Sequence, residues 1–159
     1  MRLPGRGLDM KVFLNISNHP SMLWDEKQSK YARLLCDKNG DAKILDIKYP
    51  YISPSLDCDK AKDVAGGIIQ RICDIKQGLA PCCAMVMGEF SSAHWIVDVL
   101  EEAGIKCYVS TTTRMAVNDN GNKLSGFSFV RFRRYFKANQ EDFKRCGARL
   151  RNRIKTEII

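Results

Sequence analysis

The sequence predicts an α/β protein whose sheet is mostly parallel, ends in an antiparallel β-hairpin and is followed by one further helix. Three observations predict it. Short apolar, β-type runs alternate with segments of helical period between residues 11 and 110. One run, Cys82-Cys83-Ala84-Met85-Val86-Met87, is apolar throughout, as a central parallel strand covered on both faces should be. The pieces Met115-Ala116-Val117 and Phe127-Ser128-Phe129-Val130-Arg131-Phe132 flank the turn-rich Asn118-Asp119-Asn120-Gly121-Asn122, which is the pattern of a hairpin.

The first strand is Lys11-Val12-Phe13-Leu14-Asn15-Ile16-Ser17, ended by the turn formers Asn18-His19-Pro20-Ser21. A helix starts near Asp25, a capping residue; Tyr31, Leu34 and Leu35 supply its inward face, and Asn39-Gly40 stops it. Lys43-Ile44-Leu45-Asp46-Ile47 alternates enough to belong near a sheet edge. After a loop bounded by Pro50 and Pro54, Val64, Ile68, Ile72 and Ile75 mark a helix over residues 57–77 that ends at Gly78. Gly66 and Gly67 inside it suggest close packing. The central strand stops at Gly88. Ser91 or Ser92 caps the next helix, whose stripe is Ile96, Val97, Leu100 and Ala103, and residues 105–110 form the fourth strand.

This string is β-α-β-α-β-α-β plus a hairpin, and right-handed crossovers fold such a string into a three-layer, Rossmann-like sandwich. At 159 residues the chain suits one domain, spanning 10–136. Residues 1–9 are polar, Gly-rich and patternless, so they read as an appended or disordered extension with the native start at Met10. Residues 137–159 read as a basic C-terminal helix with Phe143, Leu150, Ile154 and Ile158 along one face, a stripe expected to be buried. No apolar run approaches a membrane span or a secretory signal, and the chain reads as cytoplasmic, without a membrane partner.

The formal charge of +8 is unevenly placed. Residues 131–159 hold ten basic and three acidic side chains, a net of +7, which leaves +1 for the first 130 residues. The body is therefore nearly neutral, and any polyanion contact suggested by the pI near 9.2 belongs to the tail. The seven cysteines contain no C-x-x-C pair and are accompanied by only His19 and His94. Their spacing predicts neither a metal site nor a disulfide framework, so most of them read as reduced, small core residues. No cofactor is expected. The P-loop, G-x-S-x-G and H-E-x-x-H patterns are missing, which removes the common kinase and hydrolase classes.

Ligands of such sheets bind beyond the carboxyl ends of the strands, near the point where strand order reverses. The first strand delivers Ser17, Asn18, His19 and Ser21 there. The third delivers Gly88, Glu89, Phe90, Ser91 and Ser92, and the fourth delivers Ser110, Thr111, Thr112, Thr113 and Arg114. Hydroxyls, helix-start amides and an arginine fork suit phosphate oxygens, and a glycine permits close backbone approach. His19 and Glu89 are the candidates for acid–base work there, with Arg114 as charge stabiliser. For each residue the plain alternative is a cap, a turn or β-prone filler. Phe127, Phe129 and Phe132 fit a half-buried strand better than a base-stacking platform.

The stretch from Phe13 to Ser21 with Trp24, then Val86-Met87-Gly88-Glu89-Phe90, Ser110-Thr111-Thr112-Thr113-Arg114 and Phe129-Val130-Arg131-Phe132-Arg133 with Tyr135, resembles small prokaryotic CRISPR-associated proteins. These are single-domain relatives of the CRISPR-associated Rossmann fold (CARF) group. The His19-Pro20-Ser21-x-x-Trp24 piece is similar to one in small proteins acting on cyclic oligoadenylate messengers. The resemblance implies a homodimer whose paired rims bind a cyclic oligonucleotide and cleave it as a metal-independent ring nuclease. His19, Ser21, Glu89, Ser91, Thr111 and Arg114 are the positions it singles out. Two alternatives stay open: a non-catalytic nucleotide- or protein-binding module, and an adaptor that contacts nucleic acid through the basic helix.

Overall fold

The computed structural model describes residues 9–119 and 122–151. Five strands form one sheet in the order β2-β1-β3-β4-β5. β1 (Met10–Ser17), β2 (Lys43–Lys48), β3 (Leu79–Val86) and β4 (Lys106–Asp119) run parallel, and β5 (Asn122–Arg134) pairs antiparallel to β4. The chain leaves β1 toward β2, crosses back to β3 and continues outward, so strand order reverses between β1 and β3.

Helices cover both faces, which makes the expected three-layer sandwich. On one face α2 (Cys58–Cys73) and α3 (Phe90–Glu102) pack Ala65, Ile68, Ile96, Val97 and Leu100 against Val12, Leu14, Ile16, Ala84 and Val86. On the other, α1 (Glu26–Cys36) lays Tyr31, Ala32, Leu35 and Cys36 over Phe13, Met85, Phe129 and Phe132. Phe132 sits at the centre of the aromatic packing, with ring centroids 5.2 Å from Phe13, 5.0 Å from Phe129 and 5.9 Å from Trp24.

Phe129 and Phe132 are three apart, yet both face α1, although residues of a regular strand share a face only at even spacing. The ladder explains it. Thr111 pairs with Arg131 and Thr112 with Phe129, so Val130 is the extra residue of a bulge that shifts the parity.

The helices begin where acidic side chains reach their first amides. Asp25 accepts from Gln28 N, Asp57 from Lys60 N, and Glu89 from Ser91 N and Ser92 N. The cap of α3 is thus Glu89, not Ser91 or Ser92, and the helix starts at Phe90. It ends in a Schellman closure, Ile105 N to Leu100 O and Gly104 N to Glu101 O, with Gly104 at φ 85°. Ala103 lies on that cap and is exposed rather than part of the buried stripe.

Several other expectations are corrected. Leu34 and Val64 are exposed, because the buried stripes run one residue on, through Leu35 and Cys36 in α1 and through Ala65 and Ile68 in α2. A Cβ at Gly66 or Gly67 would meet nothing within 4 Å, so neither marks close packing. α2 ends at Cys73, five residues before Gly78.

The largest correction concerns β4. The fourth strand and the first arm of the hairpin are one continuous strand, so Thr111, Thr112, Thr113 and Arg114 lie within β4 rather than in a loop after it. β3 pairs with β4 only from Lys106 to Tyr108. Beyond that, β4 pairs with β5 alone and the two form a ribbon past the carboxyl edge of the sheet. Asn120 and Gly121 of the expected turn lie outside the described residues.

After Tyr135 the chain is helical again from Gln140. α4 (Gln140–Asp142), held by a capping box between Asn139 and Asp142, continues in a π-helical turn, Phe143–Gly147, and in helical residues 148–151. Phe143 and Leu150 are exposed, not buried as expected; Ile154 and Ile158 lie outside the described residues. No helix among the described residues is long and apolar enough to cross a membrane.

Candidate functional site

At the carboxyl ends of β1 and β2 a buried polar network fixes the turn that follows β1. Asn15 lies in an otherwise apolar strand, is 1% exposed, and pairs in register with Asp46. Its Nδ2 donates to Asp46 Oδ1 at 2.7 Å and to the His19 carbonyl at 2.7 Å. The Ser17 hydroxyl donates to Asn15 Oδ1 at 2.7 Å, and His19 N donates to Ser17 Oγ at 3.1 Å. The Asp46 carboxylate also accepts from Ser21 N and from the Ser21 hydroxyl at 3.0 Å. Each donor has an acceptor, so the turn is set before any ligand arrives. Trp24, at the end of the 3-10 turn Ser21–Leu23, packs on Phe13 and Phe132 and anchors the segment to the core.

Beside this turn is a cavity of about 330 Å³ lined by Asn15, Ser17, Asn18, Pro20, Asp46 and Lys48. Asn18 and Lys48 also line a neighbouring hollow of about 270 Å³ with Tyr49, Pro50, Tyr51 and Arg71. The Arg71 guanidinium donates to the Lys48 carbonyl at 3.2 Å, which holds this cation at the rim. Tyr51 is 82% exposed there. Two cations, an amide and an aromatic face therefore share one edge at the carboxyl ends of β1 and β2, one strand away from the β1–β3 gap where strand order reverses, a set suited to an anionic ligand with an aromatic base.

The turn after β3 is arranged differently. The Glu89 carboxylate accepts from Ser91 N at 3.0 Å, from Ser92 N at 2.9 Å and from both serine hydroxyls. These bonds, led by the two amides, pull its pKa from the usual 4.5 down to about 2. The amides that would meet a phosphate at the start of α3 are thus held by the chain's own carboxylate. Gly88 does give close approach, but to Tyr49: a Cβ there would fall 2.3 Å from its ring. Tyr49 is 2% exposed and hydrogen-bonded to Ser92 Oγ at 2.7 Å, and burial pushes its phenol pKa up.

His19 and Glu89 stand at the ends of adjacent strands. Arg114 does not join them: it is exposed on the ribbon, six residues past Tyr108, or about 20 Å along the strand. Among the described residues no hydrogen bond or ion pair links the three. Thr112 and Thr113 are exposed on the same ribbon, and Thr111 Oγ1 donates to the Arg131 carbonyl. Ser110 remains at the rim, its hydroxyl donating to the Met87 sulfur at 2.9 Å.

Phe90, 91% exposed, lines a different cavity of about 380 Å³ between α3 and the end of β5. The charges there are paired with one another, Arg134 with Glu101 at 2.7 Å and Lys137 with Asp98 at 3.2 Å. Burial pushes the Glu101 pKa up, but the bonds from Arg134 and Cys107 N and the nearby positive charges bring it below the usual value.

The sequence profile of the uncharacterized protein MJ1673 family matches residues 11–133. This chain belongs to that family. The match spans β1 to the end of β5 and so contains every residue of the rim just described, including Asp46, Lys48, Tyr49, Tyr51 and Arg71, which the sequence reading did not single out. No curated protein and no solved structure matches the chain.

Proposed function

We propose that this MJ1673-family chain binds a cyclic oligoadenylate at the β1–β2 rim and acts in CRISPR-associated signalling as a homodimer whose two rims face one ring. The observation that supports it most is the pre-set turn Ser17–Ser21 beside a hollow edged by Asn18, Lys48 and Arg71. Those cations match phosphate oxygens, Tyr51 offers a face for an adenine, and a two-fold ligand matches a two-fold protein. The resemblance carried by His19-Pro20-Ser21 and Trp24 falls on the same turn.

Ring cleavage without a metal would need a ribose 2′-hydroxyl to attack the adjacent phosphate in line, with a group to take its proton. Of the three residues proposed for chemistry, His19 and Arg114 have no side-chain hydrogen bond among the described residues, and of these two His19 is the one at the rim and the one able to accept a proton. Glu89, tied by four bonds and with its pKa at about 2, is a poor proton acceptor near neutral pH. Its engagement favours binding of the ring over its cleavage.

The test is incubation with a series of cyclic oligoadenylates, read by thermal shift and by product chromatography with a chelator present. One ring size is expected to raise Tm by several degrees. A linear product that disappears in His19→Ala assigns cleavage, and an unchanged ring assigns binding alone. A Tm unmoved by every ring would overturn the reading.

A further inference from the structure

Toward the amino-terminal end of the sheet, away from the rim, three thiols converge. Cys36 closes α1, while Cys82 and Cys83 are neighbours on β3. Neighbours on a regular strand project from opposite faces. Ala84 and Val86 face the α2–α3 layer and Cys83 and Met85 face α1, so strict alternation would send Cys82 to the α2–α3 side. It packs on the α1 side instead. The ladder between β1 and β3 shows how: Val12 pairs with Pro81 and Phe13 with Cys83, leaving Cys82 as the extra residue of a bulge. The bulge turns two successive cysteines into a converging pair, and the last residue of α1 supplies a third.

The three Sγ atoms all lie within 4.8 Å of one another. A zinc ion with bonds of about 2.3 Å sets its sulfurs about 3.8 Å apart, and a three-coordinate copper about 4 Å apart. Contraction by about 1 Å or less would close the site. Cys36 and Cys83 are buried and Cys82 is partly open, which leaves a path for an ion. Among the described residues no histidine or carboxylate joins the group, so the donor set is all sulfur, the softest that protein side chains offer.

We propose that Cys36, Cys82 and Cys83 form a three-thiolate site for a thiophilic d10 cation, monovalent copper or zinc. Three sulfurs complete the coordination of monovalent copper; zinc would take its fourth ligand from solvent on the Cys82 side. The ion ties the end of α1 to the middle strand, so it stabilises the fold. Because Cys83 lies three residues before the end of β3, the site is separate from the ring-binding rim.

The experiment adds monovalent copper or zinc, each in turn and without oxygen, to the reduced full chain. The readouts are metal per chain by native mass spectrometry, sulfur-to-metal absorption in the ultraviolet, and thiols left reactive. The expected result is one ion per chain, three of the seven thiols protected and a raised Tm, all retained in C58S/C73S/C146S, which lacks the three exposed thiols. C36S and, at the half-buried position, C82S should each lose the ion while circular dichroism stays that of the native fold. Competition between the two ions assigns which one is held. Loss of binding in C58S/C73S/C146S, full binding in a folded C82S, or a Cys36 disulfide to Cys82 or Cys83 that leaves no ion bound would each overturn the proposal.

Discussion

The turns that leave β1 and β3 draw on the same residue types, serines, an acid and a helix start, and end up with opposite accessibility. The first is braced from outside itself, by Asn15 beneath and Asp46 in the next strand, and the hollow beside it retains Asn18, Lys48 and Arg71 along its edge. The second is braced from within: Glu89 folds onto Ser91 and Ser92 and fills the anion position at the start of α3. A helix start next to a strand-order reversal is an anion site only if its own sequence does not already supply the anion. The same rule covers α1 and α2, whose first amides are taken by Asp25 and Asp57.

The comparison can be broken most severely at Gly88. Replacing it with alanine drives a methyl into the Tyr49 ring and should cost about 3 kcal/mol, read from chemical denaturation. In Tyr49→Ala the same change should cost much less. Next is Asn15→Ala, which removes one hydrogen bond each from Asp46, the Ser17 hydroxyl and the His19 carbonyl, although Ser21 still holds Asp46 and Ser17 still reaches His19. It should lower stability by about 2 kcal/mol and also weaken the ring, whereas damage to the β3 turn should not.

A sharper contrast comes from the double variant K48A/R71A. Its ring affinity should fall about tenfold or more, as expected for losing charged hydrogen bonds, with unliganded stability within about 0.5 kcal/mol of the parent. Smaller still is the pH effect at Glu89. Its pKa is lowered by folding, so its contribution is complete above about pH 4.5 and fades as pH falls toward about 2. The Tm difference between the parent and Glu89→Gln should therefore shrink across that window, since the other carboxylates are common to both. The least effect is expected in the tail, where K144E/R145E/R149E should leave ring affinity unchanged.

Element order, the central and edge strands, helices on both faces and the closing hairpin were legible in the sequence because period and turn chemistry are local. What was not legible depends on register. Asn15 is a polar residue in an apolar strand, but nothing in the sequence says that Asp46 lies opposite it. The bulges at Cys82 and Val130 each shift side-chain parity; Pro81, which cannot donate to the ladder, stands beside the first, and no glycine or proline marks the second. Thr111 to Arg114 were read as a strand end because the polar residues resemble a loop; β-branched threonines continuing β4 into the ribbon are the physical outcome. Glu89 as a cap and Glu89 as a site residue were indistinguishable until the amides of Ser91 and Ser92 were placed.

The most direct test of the β1–β2 rim as the ligand site is one calorimetric titration of cyclic oligoadenylate into three proteins: the parent, K48A/R71A, and S91A/R114A. The account predicts tight binding by the parent and by S91A/R114A, and severely weakened binding by K48A/R71A. Binding that survives in K48A/R71A and is lost in S91A/R114A would move the site to the β3 turn and the ribbon, and would contradict it.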